Sequence, residues 1–489
     1  MSFDKLLLAL VFIPLGTALV AVMLPPARRR WAVLLGSLAW PCFLVPLSIA
    51  VAREQTLTLV FGGWSPPLGI GWRLDALALV VLWVHALVGI AALPGAWQRF
   101  KPEETESGPF WSLWLILATG VNLATLAADL FNLYVALELT TLAAVALIAT
   151  DDGIAALSAA MRYLLLAVLG SLMYVLGVGL VYAQTGSLAM HQPGLVELNN
   201  VALVLMLTGL MVKAAIFPLH VWLPHAYSNA PGPVAAIMSA VVGKVALVAL
   251  WRIWFETAVD PPTLLTNLLG LIGAGAIVYG ALAAYLQPRL KMVIAYSSIS
   301  QFGFLLLLLP LACQQAFQGA GFHLLAHGLA KAAMFLAAAN IVTVLGSDSI
   351  RHLPGLDKRM PLEAFTLALA GVTLIGLPPS GGFTGKWMLL SAAWETGGWF
   401  WLVLIVLSGL MSAAYVFRIL ALTCFHPARR AVHHLHPKPP AITSLAALML
   451  ALLAVVIGLY PHPVLDLLGS GVLMDGGVRL QSGVPGAGP

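Results

Sequence analysis

Four lysines sit inside long apolar stretches or at their breaks: Lys213, Lys244, Lys331 and Lys386. A cation at the centre of a bilayer costs roughly 2.5–3.5 kcal/mol on insertion scales, so packing is a poor reason to keep four of them. Glu138, within DLFNLYVALELTTL, and His323 and His327, within HLLAHGLAK, have equally apolar surroundings. Such groups can pass protons. Buried lysine changes its proton affinity readily, and a carboxyl among Leu, Ala and Val stays neutral unless a cation stands beside it. Glu138 and Lys213 are therefore expected to pair and to tune each other, and the set as a whole to form a polar path for ions.

Spacing sharpens this. His323, His327 and Lys331 follow one another at i, i+4 and i+8, which keeps them on one helix face with a drift of about 40° per step. Histidines four apart can also bind zinc, but no HExxH glutamate and no third ligand is present, so no metal is expected. Each residue also has a plainer role open to it. Glu138 could be a protonated hydrogen-bond donor, Lys213 a snorkelling side chain, the histidines satisfied core groups, and Lys386 an interfacial anchor. Asp129 is expected to cap the helix that carries Glu138. His220 and His225, in FPLHVWLPHAYSNAPGPV, are either a proton entrance or helix-end caps. His426, His433, His434 and His436 are expected on a solvated basic loop.

The elements that must position these groups follow from composition. The chain of 489 residues is 61% hydrophobic and 9% charged, where a soluble protein would carry about 25% charged residues. It reads as a polytopic all-α membrane protein, a single membrane domain over 1–489. Fourteen apolar stretches are long enough to span: 3–24, 31–52, 74–94, 110–127, 130–150, 159–184, 200–224, 231–255, 264–286, 292–310, 316–345, 362–391, 398–424 and 442–460. The first is too long for a signal-peptide core and is read as a span. Cys42, Cys313 and Cys424 are far apart in apolar sequence and are expected to be inert core thiols.

With fourteen spans, one set of alternate loops collects fifteen Lys and Arg, from Arg28 to Lys438. The other collects five: Lys5, Arg53, Arg73, Arg252 and Arg479. The positive-inside rule then puts both termini outside. The seventh and twelfth spans are broken, by Pro218 and Pro224 near Lys213 and by Pro378, Pro379 and a run of glycines before Lys386. Paired broken helices an odd number of spans apart mark inverted repeats. This divides the chain into spans 1–3 (1–109), a first five-helix repeat (spans 4–8, 110–255), a second (spans 9–13, 264–424), span 14 (442–460) and a Gly-rich tail (461–489).

The strings DLFNLYVALEL, KAAIFPLHVWLPHAYSNAPGPV, RLKMVIAYSSISQFGF, HLLAHGLAKAAMFL and GLPPSGGFTGKW occur in this order. Over roughly residues 70–425 the chain thereby resembles the antiporter-like membrane subunits of respiratory complex I, membrane-bound hydrogenases and Mrp-type cation/proton antiporters. DLFNLYV and WLPHAY are most similar to the D-type subunits of Mrp antiporters and their hydrogenase relatives. The resemblance implies fourteen helices with two inverted repeats. It also implies a Glu138–Lys213 pair in a first half-channel, Lys244 as connector, His323, His327 and Lys331 along the central axis, and Lys386 in a second half-channel. Two departures fall at the entrance: the family often has an acidic residue where His225 stands and a lysine where Arg162 stands.

The expected function is that of a proton-translocating subunit of the Mrp D type, exchanging H⁺ for monovalent Na⁺ or K⁺ in company with other membrane subunits in the cell's inner (plasma) membrane. The alternative is a proton-pumping subunit of an NADH:quinone oxidoreductase or hydrogenase. No cofactor motif is present, so redox chemistry would belong to partners, and the chain is not expected to be catalytic alone. A self-sufficient solute transporter and an inert scaffold fit a row of buried cations less well, and nothing suggests nucleic acid.

Overall fold

The computed structural model describes residues 3–61, 69–101, 107–151, 153–190, 200–257, 262–427 and 437–469. His433, His434, His436 and the tail beyond residue 469 lie outside the described residues. Apolar runs can satisfy their backbone groups within a bilayer only as helices or closed barrels, and here they are helices. The order begins with α1 (Phe3–Met23), α2 (Pro26–Ala39), a 3-10 turn, and α3 (Leu44–Glu54). An antiparallel hairpin, β1 (Leu57–Val60) and β2 (Gly71–Leu74), precedes α4 (Ala76–Arg99). Next come α5 (Ser107–Leu126), α6 (Leu130–Ile148), α7 (Ile154–Thr185), α8 (Asn200–Lys213) and α9 (Leu223–Asn229). A π-helical turn at Met238–Val242 joins α10 (Gly232–Ile237) to α11 (Gly243–Thr257). Then follow α12 (Thr263–Leu286), α13 (Leu290–Leu306), α14 (Leu308–Leu311), α15 (Gln314–Leu345) and α16 (Leu356–Arg359). The last are α17 (Pro361–Ile375), α18 (Gly381–Glu395), α19 (Trp399–Leu420), α20 (Ala441–Leu459) and α21 (His462–Gly469).

Among the described residues, twelve helical segments are long and apolar enough to cross a membrane. Two of the fourteen expected stretches are absent from that set, and they are the proline-broken ones, represented by the short apolar helices α8 and α17. Burial sorts the rest. The segment Gly232–Glu256 is wholly buried and α13 and α15 nearly so, whereas α1, α7, α19 and α20 turn most of their surface outward. On α7 the outward face is Leu165, Leu169, Leu172 and Leu176, an apolar surface suited to lipid. Two of the three central segments carry Lys244 and the row His323, His327 and Lys331. Small residues let the surrounding helices close on them: a Cβ on Gly209 would meet the Gly170 carbonyl oxygen at 2.4 Å, so α7 and α8 touch backbone to backbone.

The breaks have local causes. After α8, Ala215 adopts φ +53°, a left-handed conformation that ends the helix, and the Val212 carbonyl accepts from Ala215 N at 3.1 Å and from Trp222 Nε1 at 2.9 Å. After α17, Gly376 takes φ +85° as the C-cap. The first turn of α18 then lies so near the end of α17 that a Cβ on Gly382 would fall 1.8 Å from the Thr373 carbonyl oxygen.

Three expectations are corrected. Arg252 is not a loop cation but lies within α11. Arg252 is buried, its Nη2 donating to both Asp75 carboxylate oxygens at 2.9 Å, while Arg73 pairs with Glu256 and, at 3.4 Å, with Asp75. Cys42 and Cys424 are exposed and Cys313 is half-buried, so none is a core thiol; the apolar stretches that hold them turn these positions outward. The tail expected from 461 begins as the short helix α21.

Asp75 also caps α4 through Ala78 N at 2.8 Å, so the ionic cluster ties the hairpin, α4 and α11 together. Asp75→Ala strands Arg252 as an uncompensated buried charge and is expected to cost about 3–5 kcal/mol. A thermal melt of the purified protein checks this: the midpoint falls for Asp75→Ala and largely recovers in Asp75→Leu/Arg252→Met, and an unchanged single variant would show the pair to be energetically idle.

Candidate functional site: a buried row of titratable side chains

Glu138 projects from the middle of α6, whose first turn is capped by Asp129 accepting from Asn132 N at 2.6 Å. Lys213 is the last residue of α8. Its Nζ reaches back to Glu138 Oε2 at 3.2 Å and to Thr141 Oγ1 at 3.3 Å, and Ser171 on α7 donates to the same carboxylate oxygen. Glu138 and Lys213 thus form an ion pair, with the lysine buried and the carboxylate partly open.

Lys244 is fully buried one residue past the start of α11. The wide π turn before it leaves the Ser239 carbonyl to accept from its Nζ at 2.7 Å, and the ring of Phe302 lies 5.7 Å from the ammonium. His323 and His327 stack with parallel rings, 5.9 Å between centroids, on a continuous α15. His323 Nε2 shares a 3.1 Å hydrogen bond with Gln301 Oε1 on α13, and Gln301 Nε2 donates to Ser412 on α19 at 3.3 Å. Among the described residues neither ring nitrogen of His327 has a hydrogen-bond partner. One turn further on, Lys331 donates to Ile294 O at 2.7 Å and to Ser297 Oγ. Lys386, within α18, donates across the break to Leu374 O at 2.7 Å and Ile375 O at 3.1 Å, with Phe304 at 4.7 Å.

Among the described residues, then, only one of the four lysines has a carboxylate partner; the others rest on backbone carbonyls, a hydroxyl and aromatic faces. His220 is buried between Phe217 and Tyr279, with ring centroids at 5.5 and 4.8 Å, and no hydrogen bond joins it to the row. His225 is half-buried on α9, with Arg162 and Arg289 as its charged neighbours. Ser171, Thr141, Ser297 and Gln301 escape a reading based on charge and spacing. Polar residues inside an otherwise apolar span are the available signal for all four.

The family described as NADH:quinone oxidoreductase/Mrp antiporter, transmembrane, matches residues 127–412. The chain belongs to this family. The matched stretch contains Glu138, Lys213, Lys244, His323, His327, Lys331 and Lys386, together with both breaks. The chain is 36% identical over 487 residues to the N subunit of NADH-quinone oxidoreductase from Desulforudis audaxviator (strain MP104C), covering 94% of this chain and 96% of that one. It is 30% identical over 373 residues to the D subunit of the Na(+)/H(+) antiporter from Bacillus subtilis (strain 168), covering 75% of each. A chain in the structure of the Mrp complex from Dietzia sp. DQ12-45-1b shares the fold, with a TM-score of 0.88 at 24% identity over 97% of this chain and 98% of that one. Both kinds of relative expected from the sequence motifs are therefore present, and the fold is that of antiporter-like subunits.

Gln301 is the link between His323 and α19. Gln301→Leu removes a hydrogen bond worth about 1–1.5 kcal/mol, and is expected to slow ion movement by about tenfold while leaving assembly intact. Transport assays beside blue-native gels would test this, with an unaltered rate arguing that His323 needs no fixed orientation.

Proposed function

We propose that this chain is a proton-translocating, antiporter-like subunit of a multisubunit membrane complex. The observation that carries the reading is the row itself: seven titratable side chains on α6, α8, α11, α15 and α18, all but Glu138 buried, three of them lysines without a carboxylate partner among the described residues. The end of the bundle that carries the loops rich in Lys and Arg, its basic end, faces the cytoplasm of a cell whose plasma membrane the chain crosses, and both termini lie outside. Each interrupted pair, α8–α9 and α17–α18, completes one crossing, which brings the total to fourteen and leaves spans 4–8 and 9–13 as inverted repeats.

Protons enter near His225 and reach the Glu138–Lys213 pair. When Glu138 is charged it holds the proton on Lys213; when Glu138 is protonated that hold is lost and the proton moves on to Lys244. From there Lys331, His327 and His323, in that order along α15, relay towards Lys386. Moving one charge against 100 mV takes about 2.3 kcal/mol. A tenfold change in proton affinity is worth about 1.4 kcal/mol, so a swing of under about a hundredfold at one lysine covers it.

Two complexes suit such a subunit. An Mrp-type antiporter, exchanging Na⁺ or K⁺ for H⁺, is supported by the likeness to the antiporter's D subunit and the motifs DLFNLYV and WLPHAY. A redox-driven pump of the complex I type is supported by the higher identity and wider coverage of the likeness to the oxidoreductase's N subunit. The row serves either, with the energy supplied by partners.

Cation- or redox-driven proton movement in inverted vesicles tests the reading. In the native complex, Lys213→Ala and Glu138→Ala are each expected to cut translocation about a hundredfold, with the complex still assembled. Wild-type rates in both variants would mean that ions cross elsewhere.

A further inference from the structure

Among the described residues, one buried carboxyl outside the row stands without a cationic partner, unlike Asp75 and Glu256. Glu363 lies in the first turn of α17 with little exposure, and no lysine or arginine is within ion-pair distance among the described residues. Both of its hydrogen bonds fall on Oε1: Asn340 Nδ2 of α15 donates at 3.2 Å, and Ser444 Oγ of α20 donates as well. Oε2 accepts none of the hydrogen bonds within the described chain. A carboxyl is costly to bury, and a structural hydrogen-bond acceptor here would be served as well by an amide.

Its surroundings point two ways. Towards the basic end, a cavity of about 370 Å³ is lined by Arg99, Lys101, Asp151, Lys291, Asn340 and Thr443. Asn340 belongs to both places, so one side chain separates Glu363 from that polar space, and Ser444 follows the lining residue Thr443. Towards the interior, Thr366 and Thr373 are buried on α17 within about 80° of the Glu363 face, counted at about 100° per residue. Each hydroxyl donates to the carbonyl four residues back, which leaves its oxygen free to accept. The helix then ends at the Leu374 and Ile375 carbonyls that hold Lys386.

We propose that Glu363 is the proton-accepting carboxylate of a second uptake route, leading from the cavity at the basic end along α17 to Lys386. The ionised carboxylate takes a proton on Oε2 while Oε1 keeps its Asn340 and Ser444 bonds. The proton passes through water held by the Thr366 and Thr373 hydroxyls to the neutral amine of Lys386, whose lone pair receives it, and Glu363 returns to the carboxylate. This proposal rests on the proton-transfer reading above, and adds to it a second loading site, distinct from the Glu138–Lys213 pair and required together with it in each turnover.

The test uses the native complex in inverted vesicles. Glu363→Gln keeps an acceptor for Asn340 and Ser444 but carries no proton; Glu363→Asp keeps the carboxyl; Glu363→Ala loses both. Expected are a fall of about a hundredfold in proton translocation for Gln and Ala, with normal assembly, and substantial recovery for Asp. Wild-type transport in the Gln variant overturns the proposal, including the case in which only Ala is impaired, since that marks a structural acceptor. Lys213→Ala, run alongside, separates the two levels: if it stops transport and Glu363→Gln does not, the uptake route falls and the proton-transfer reading stands; if neither matters, both fall. Should the Gln variant fail to assemble, carbodiimide labelling of the wild-type complex, followed at the Glu363 peptide by mass spectrometry, decides the matter. Transport declining in step with modification supports the route, and full transport, or no modification, overturns it.

Discussion

An ammonium group taken out of water must be held by something else, and the interior of this protein is organised around that requirement. Lys213 has a carboxylate. Lys244, Lys331 and Lys386 have carbonyl oxygens, which are available only where a helix is widened or stopped, or where a neighbouring helix presents one. The π turn at Met238–Val242 and the break at Gly376 are thus conditions for keeping lysines at membrane depth. So is the close approach of α18 to the end of α17, which a side chain at Gly382 would prevent. Backbone irregularity and buried charge occur at the same places because each makes the other tolerable.

A second constraint is rigidity around the row. Gly170 against Gly209 brings α7 to α8, so that Ser171 and Lys213 converge on one carboxylate oxygen. The Asp75–Arg252 and Arg73–Glu256 pairs fix the C-terminal end of α11 against the hairpin, and α11 carries Lys244. His85 shares a 2.8 Å hydrogen bond with Asn122, which donates to the Leu10 carbonyl at 2.7 Å and so ties α1, α4 and α5 together. These last contacts lie outside the row and hold together helices that carry or flank it.

Much of this is legible in the sequence, for identifiable reasons. Long apolar runs have one stable form in a bilayer unless they close into a barrel, so the helices and both breaks can be placed from proline, glycine and hydropathy alone. The Glu138–Lys213 pair is legible because opposite charges buried in one membrane domain must find each other, even 75 residues apart. The Asp75–Arg252 pair, 177 residues apart, is not. Both residues stand at the ends of apolar stretches, where a charge needs no explanation, and Arg252 accordingly reads as a loop cation. The hairpin of four-residue strands is too short to show a period of two. Gln301 and Ser297 escape because the groups that make them notable, His323, Lys331 and Ser412, stand on other helices, α15 and α19.

The two broken elements differ in what balances their lysines. Lys213 faces a carboxylate, a counter-charge that vanishes whenever Glu138 takes a proton. Lys386 faces the end of a helix, where aligned peptide dipoles present roughly half a negative charge that no change of pH or proton occupancy can remove. One site therefore has a counter-charge that can be switched and the other a counter-charge that is permanent. The two breaks are thus unlike in kind: neutralising one side chain would strip Lys213 of its counter-charge, whereas for Lys386 the end of α17 itself would have to unwind.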